Sequence, residues 1–407
     1  MTPFDLIFRN LIRTGTLTVT DARGARHVYT GSRPGGHVAM TLHDPKLHGQ
    51  IFLDPEMAIG EGYMNGTLTL DGGITLYDFL DVIYGNYINA PRSGLFGALL
   101  ELQRMARRAG NRNPIQRARR NVAHHYDLKD ELFDLFLDGD KQYSCAYFKS
   151  PTDSLEQAQA AKKRHIAAKL FTRPGQTALD IGSGWGGLGL TLAKDFGLDV
   201  TGITLSDHQL ALSRKRATEA GLEERCRFEL KDYRLEENLY DRIVSVGMFE
   251  HVGRKHFATF FRHVARLLKD DGVAVIHTIV KFRDPGPIPS WTSKYVFPGA
   301  YVPTLSELTP AIEKSGLFMA DVEILRLHYA ETLRHWRERL YANRAKVEAM
   351  YDARFFRMWD FYLTGSEIAF RQGELAIAQV QLEKRLGTVP LTRDYLAANA
   401  PAAAIAA

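Results

Sequence analysis

Apolar and polar positions alternate at the start of the chain. "GTLTVT" (15–20) and "HVAMTL" (37–42) carry the period of half-buried strands, and "GTLTLDGG" (66–73) repeats it before ending in turn residues. Residues 1–90 therefore read as a small N-terminal α+β domain. "NAPRSG" (89–94) then breaks the pattern. In "LFGALLELQRMARR" the period becomes helical. Leu95, Leu99, Leu102 and Met105 share one face, Phe96 and Leu100 flank it, and arginines follow at the C-terminal end, where they suit the helix dipole. Residues 91–120 are thus expected to form a basic amphipathic linker helix. Such a helix binds a membrane surface or packs between domains on a core.

Between about 121 and 325, short apolar runs alternate with helical stretches. "TALDIGS", "DVTGITL", "RCRFEL", "DRIVSVGM" and "VAVIHTI" read as buried parallel strands of an α/β doubly wound sheet. From about Ala330 the pattern is nearly all helical. There Phe355, Trp359, Tyr362, Ser366 and Phe370 recur every three or four positions as one mostly aromatic face, which is ordinarily core. The expected division is 1–90 for lipid docking, 91–120 for the linker, 121–390 for catalysis and a frayed tail at 391–407.

Composition narrows the class. With 407 residues, 45% hydrophobic and 24% charged, the chain is globular and too long for one ordinary core. Its two cysteines, Cys145 and Cys226, cannot build a disulfide scaffold, which points to a reducing cytoplasm. No leader-like start and no membrane-length apolar run is present, so the chain is expected neither to cross a bilayer nor to be exported. The net charge of +5 is unevenly placed: Arg92, Arg104, Arg107, Arg108, Arg112, Arg117, Arg119 and Arg120 face only Glu101. That block asks for an anionic partner, nucleic acid or membrane surface.

The chemistry sits at the strand ends. In "ALDIGSGWGGLG", Gly182, Gly184 and Gly186 let the backbone turn tightly against a ligand, and Asp180 closes the strand. An acid inside this glycine pattern is typical of S-adenosylmethionine-dependent methyltransferases rather than dehydrogenases. The second strand ends in Thr204 and Leu205 instead of an acid. Thr204, Ser206 and Gln209 can still bond ribose hydroxyls, and Ser206 also suits a helix N-cap. Asp232 and Tyr233 in "LKDYR" suit an adenine amino group and ring face. "DRIVSVGMFEHVG" brings Glu250 to the carboxyl end of a central strand, where such sheets bind ligands. His277 ends the next strand. His251 reads as structural.

With these residues in place, the chain resembles the cyclopropane-fatty-acyl-phospholipid synthase family, which includes the mycolic acid cyclopropane synthases. "HHYDLKDELFDLFLD", "QYSCAYF", "LDIGSGWGG", "GITLS", "DRIVSVGMFEHVG", "HTI" and "WTSKYVFPGAYVP" carry the resemblance, and "LDPEMAIGEGYMNG" extends it to longer bacterial members. The resemblance implies that an acyl-chain olefin attacks the methyl of S-adenosylmethionine, a carbocation forms, and a bound bicarbonate takes a proton so that the ring closes. It places Tyr143 and Ser144 beside the cofactor. It places Cys145, Glu250, His277, Ile279 and Tyr329 around the bicarbonate. Cys145 then serves as a small residue whose backbone amide faces the anion, or simply as a buried hydrophobe. Glu250 beside an anion requires a shared proton. The implied partner is unsaturated phospholipid on the inner face of the cell membrane, and a homodimer is left open.

One departure stands out. The resemblance implies a cysteine within this C-terminal motif, and this chain has Ser366 in "YLTGSEIAF". If that face lines the acyl channel, the cation can be quenched differently, leaving a methyl- or methylene-branched chain. Two other classes compete. A nucleic-acid methyltransferase would answer the arginine block, but no "NPPY"-like loop is present. A non-catalytic lipid or cofactor binder would not need Glu250, His277 and Tyr329 together.

Overall fold

The computed structural model describes residues 3–90 and 128–398. The arginine block and the linker helix expected over 91–120 lie outside the described residues. The chain divides into two compact units.

The first unit gathers, of the described residues, 3–90, 286–298 and 333–375. Its sheet holds β1 (Thr14–Thr20), β2 (Arg26–Thr30), β3 (Arg33–Leu42) and β4 (Leu68–Leu70) in the order β2-β1-β3-β4. Leu17 and Val19 of β1 and Val38, Met40 and Leu42 of β3 point into one core, as the alternation requires. Phe4, Ile7, Phe8 and Leu11 of helix Pro3–Leu11 enter the same core at helical spacing. Helix Ala353–Arg371 packs here as well, through Ile368. The helical stretch that the sequence pattern attached to the catalytic domain therefore clusters with the N-terminal residues. Its aromatic face forms a ladder within this unit. Tyr351 stacks on Phe355 at 4.0 Å, Phe355 runs parallel to Trp359 at 5.8 Å, and Tyr362 meets Trp359 edge-on at 5.3 Å.

The second unit comprises 128–285, 299–332 and 376–398 of the described residues. Its sheet contains β5 (Thr177–Ile181), β6 (Asp199–Thr204), β7 (Cys226–Leu230), β8 (Tyr240–Val246), β9 (Leu268–Lys281), β10 (Phe318–Leu325) and β11 (Leu375–Glu383). The order is β10-β11-β9-β8-β5-β6-β7. β5 pairs in parallel with β6 on one side and with β8 on the other. The order thus reverses at β5, and such a point leaves a crevice at the carboxyl ends of the strands. The five apolar runs read from sequence are β5 to β9. β11 interrupts the expected all-helical C-terminus. Its residues after Leu375 are all buried although Gln379 and Gln381 lie among them.

Candidate functional site

The turn after β5 follows from its glycines. Gly182 has φ +84°, and a Cβ there would lie 2.7 Å from the Met248 Cβ. Gly184 has φ +55° and faces open space. Only glycine adopts both positions without strain. Gly186 N-caps helix Gly187–Phe196, so the first amides of that helix follow the turn.

A cleft opens at these strand ends. Ten of the expected cofactor residues line it: Tyr143, Ser144, Asp180, Gly182, Gly184, Thr204, Leu205, Gln209, Asp232 and Tyr233. Ser206 does not line it. It N-caps helix Asp207–Glu219, where its hydroxyl accepts from the Gln209 amide at 3.3 Å. The Thr204 hydroxyl accepts from the Ser206 amide and donates to Gln209 Oε1 at 2.9 Å, which fixes the Gln209 side chain.

The cleft also contains residues the motifs did not point to. Arg234 forks Asp232, with Nε 2.8 Å from Oδ1 and Nη2 2.5 Å from Oδ2. The two carboxylate oxygens expected to meet an adenine amino group are therefore shared with an arginine. His251 lines the cleft too, and burial pulls its imidazole down to about 4, leaving it neutral. Trp185 donates its indole N–H to Asp130 Oδ1 at 3.2 Å. Phe133 packs against both Trp185 and Tyr143, at 5.0 and 5.5 Å. Thus the "DELFD" helix, Asp130–Asp134, braces the "QYSCAYF" loop. Leu132, Phe133 and Phe136 of this stretch are all buried.

Of the five expected catalytic residues, the structure joins two directly. Glu250, in the 3-10 turn Phe249–His251 after β8, accepts the Ile279 amide at Oε1, 2.7 Å away. Its other oxygen, Oε2, is buried with no hydrogen-bond partner among the described residues. Burial raises the Glu250 pKa against the pull of that amide, so protonation becomes easier. His277 pairs in register with Val246, a lining residue of the cleft. Gln379 Nε2 lies 3.1 Å from His277 Nδ1. With Gln379 donating, Nδ1 is the acceptor and the ring proton sits on Nε2, which is buried with no partner. Burial keeps this imidazole neutral. Cys145 is fully buried, and burial pushes its thiol pKa well up, so it is no nucleophile. The next residue, Ala146, donates its amide to Thr332 Oγ1 at 3.0 Å. That bond ties the loop to helix His328–Ala342, which carries the half-buried Tyr329.

A cofactor fits this arrangement on two counts. Asp180 lies in the cleft with Oδ2 buried and unpartnered, and burial raises its pKa to about 7. The glycine turn leaves backbone exposed where a ligand can approach.

The comparisons agree with that geometry. A family model described as mycolic acid cyclopropane synthetase matches residues 114–380. The chain belongs to this family. Among its relatives, a cyclopropane-fatty-acyl-phospholipid synthase of Escherichia coli K12 is 34% identical over 86% of this chain and 88% of its own. A probable fatty acid methyltransferase of Pseudomonas putida is also 34% identical, over 85% of this chain and 87% of its own. A solved structure of the mycolic acid cyclopropane synthase CmaA1, complexed with SAH and CTAB, superposes with a TM-score of 0.63. It is 32% identical and covers 67% of this chain and 99% of its own. As a member of the mycolic acid cyclopropane synthetase family, the chain is an S-adenosylmethionine-dependent C-methyltransferase with a Rossmann-like fold and a lipid substrate.

Proposed function

We propose that this enzyme is a cyclopropane-fatty-acyl-phospholipid synthase acting on cis-unsaturated acyl chains. The observation that supports it most is that two of the expected bicarbonate residues each bury an unmatched polar atom, Glu250 Oε2 in the turn after β8 and His277 Nε2 on β9. Buried polar groups are nearly always satisfied, so such a pair invites a small polar guest. His277 donates from Nε2, and Glu250 donates as well when it shares a proton with the guest, which suits bicarbonate. Ile279 acts through Glu250, because its amide is already engaged. Cys145 and Tyr329 complete the proposed pocket, with the cysteine as a small filler.

Bound S-adenosylmethionine supplies an electrophilic methyl, and bicarbonate supplies a base that does not compete as a fixed nucleophile. The chain's part is positional. Asp180, Thr204, Gln209, Asp232 and Tyr233 hold the cofactor, backed by Gly182, Gly184, Gly186, Leu205 and Ser206. Tyr143 and Ser144 stand beside the cofactor. Glu250 and His277 keep the reaction zone neutral and short of protein nucleophiles. Among the described residues, no helix is long and apolar enough to cross a membrane. We read the enzyme as docking on the cytoplasmic face of the membrane, as a monomer or a homodimer.

A second reading has its own support. Ser366, on helix Ala353–Arg371, departs from the cysteine that the family resemblance implies within that motif, and one relative of equal identity is named a probable fatty acid methyltransferase. In this reading no ring closes: loss of an acyl-chain proton from the cation leaves a methyl-branched alkene, whereas a hydride shift followed by loss of a proton from the new methyl leaves an exomethylene branch.

Both are tested with S-adenosylmethionine bearing a trideuterated methyl and vesicles of cis-monounsaturated phospholipid. A ring retains two deuteriums and shows upfield ring protons. An exomethylene also retains two but shows vinyl protons. A methyl branch retains three. Unlabelled lipid would overturn both readings.

A further inference from the structure

Beneath the loop that closes the cleft lies a lysine with no route to solvent. Lys162, on helix Leu155–Lys169, has no exposed surface. Its Nζ donates to Gln142 Oε1 at 2.5 Å and to Ser144 Oγ at 2.9 Å. One turn earlier on the same face, Gln159 Nε2 donates to the backbone oxygens of Gln142 and Ser144, at 3.1 and 2.9 Å. Two side chains of one helix thus fasten the segment that presents Tyr143 and Ser144. Burying a lysine is costly, and a merely mechanical brace would not need a cation.

The donor–acceptor arithmetic says what the cation adds. An ammonium group only donates, so Ser144 Oγ must accept from Lys162. Its own hydrogen is then turned elsewhere, and Ser144 lines the cleft. Asp180, with its unpartnered oxygen, lines the same cleft. A hydroxyl forced to donate together with a waiting carboxylate suits a ligand end bearing an acceptor and a cation. The amino-acid end of S-adenosylmethionine, with its carboxylate and ammonium, is such a group.

We propose that Lys162 is a positioning residue that fixes the Ser144 hydroxyl as a donor to the cofactor's carboxylate. This rests on the reading of the cleft as the cofactor site. Lys162 acts only through Ser144 and Gln142 and touches no substrate. Its charge is set by every element around it. Burial lowers its pKa to about 8; Asp138 and Asp140 of the preceding loop and the Cys145 thiol raise it, and the adjacent Lys163 lowers it further. Asp180 at the end of β5 and His277 on β9 both sense its charge. Lys162 is therefore charged at neutral pH and loses its proton in mildly alkaline solution. A neutral amine can accept, and the Ser144 hydrogen is then free to turn toward it.

The test measures S-adenosylhomocysteine binding by calorimetry from pH 6.5 to 9.5, for the wild type, Lys162→Met, Ser144→Ala and the double variant. At pH 7 each single variant should bind about tenfold more weakly, and the double variant no more weakly than Lys162→Met. The ratio of wild-type to Lys162→Met affinity should shrink between about pH 7.5 and 9, around the lysine's pKa near 8. Taking the ratio removes titration of the ligand's own amino group. Additive losses, or a ratio constant with pH, would overturn the proposal. If Lys162→Met fails to fold, the wild-type to Ser144→Ala ratio must show the same alkaline decline, and its absence is equally fatal. Gly184→Val separates the two levels of argument. If it leaves binding intact, the cleft itself has been misassigned.

Discussion

Each unit of this protein buries a carboxylate whose pKa is raised by burial, and the two are finished differently. In the first unit, Asp360 has no exposed surface. Its Oδ2 accepts from the Tyr63 and Tyr341 hydroxyls at 2.8 and 2.9 Å, and its Oδ1 accepts from Thr364 at 3.0 Å. In the second unit, Glu250 has one oxygen on the Ile279 amide and one with no partner. A completed network holds helices in register. A network left open by one oxygen keeps room for a guest. Burial and raised pKa are common to both, so neither identifies a reaction site. The unfilled valence is what separates them, and the proposed reaction site is built on it.

The largest expected effect breaks the closed network. Asp360→Ala takes the shared acceptor from the Tyr63 and Tyr341 hydroxyls and from the buried Thr364. It should cost about 3–5 kcal/mol of stability, read by denaturant unfolding. A loss below about 1 kcal/mol would mean that the hydroxyls find other partners, and the contrast between the two carboxylates would fall.

Next in size is Asp180, which belongs with the open class. Its pKa rises from 3.8 to about 7 because it is buried. A carboxyl whose folded pKa is raised contributes stability below its unfolded pKa and loses it as pH rises through the folded value. For Asp180 that window runs from about pH 4 to 7. Asp180→Asn should therefore be about 2–4 kcal/mol more stable than the wild type at pH 8, with the gap closing toward pH 4. It should also bind S-adenosylhomocysteine more weakly. Thermal melts across pH read the first effect and calorimetry the second. A variant less stable at pH 8 would show that the site already satisfies its carboxylate.

How far these sites could be read from sequence follows the same division. β5 to β9 were legible because their apolar runs are uninterrupted and the glycine turn gives a fixed starting point. The glycines, Asp180, Thr204 and Gln209 followed directly from that pattern. β11 was hidden because Gln379 and Gln381 break its apolar run, and their polar ends are met by distant residues: His277 for one, the Lys169 carbonyl and the Tyr395 hydroxyl for the other. Lys162 and Gln159 lie in a helix rich in alanine and lysine, where no local pattern singles them out. Their burial depends on a loop that no local period announces. Arg234 was passed over because its role needs the Asp232 carboxylate folded back on it. The aromatic face of helix Ala353–Arg371 was read correctly as a face, but not as part of the first unit. Periodicity says that a stripe is buried without saying against what.

The smallest effect is the most specific. Gln379 contributes to the site only by orienting His277. Replacing it with leucine keeps most of the volume and removes a side-chain oxygen that is itself buried without a partner. Stability should therefore change by less than about 1 kcal/mol. The imidazole, however, loses the donor that holds Nδ1 as an acceptor, so its proton is no longer confined to Nε2. Product formation should fall about tenfold, or about 1.4 kcal/mol of barrier, with S-adenosylhomocysteine affinity unchanged. Nitrogen NMR of His277 should show mixed tautomers in Gln379→Leu and the Nε2-protonated form in the wild type. Full activity alongside mixed tautomers would mean that the unmatched Nε2 hydrogen is not used. The open network around Glu250 would then have to serve its guest through the carboxyl alone.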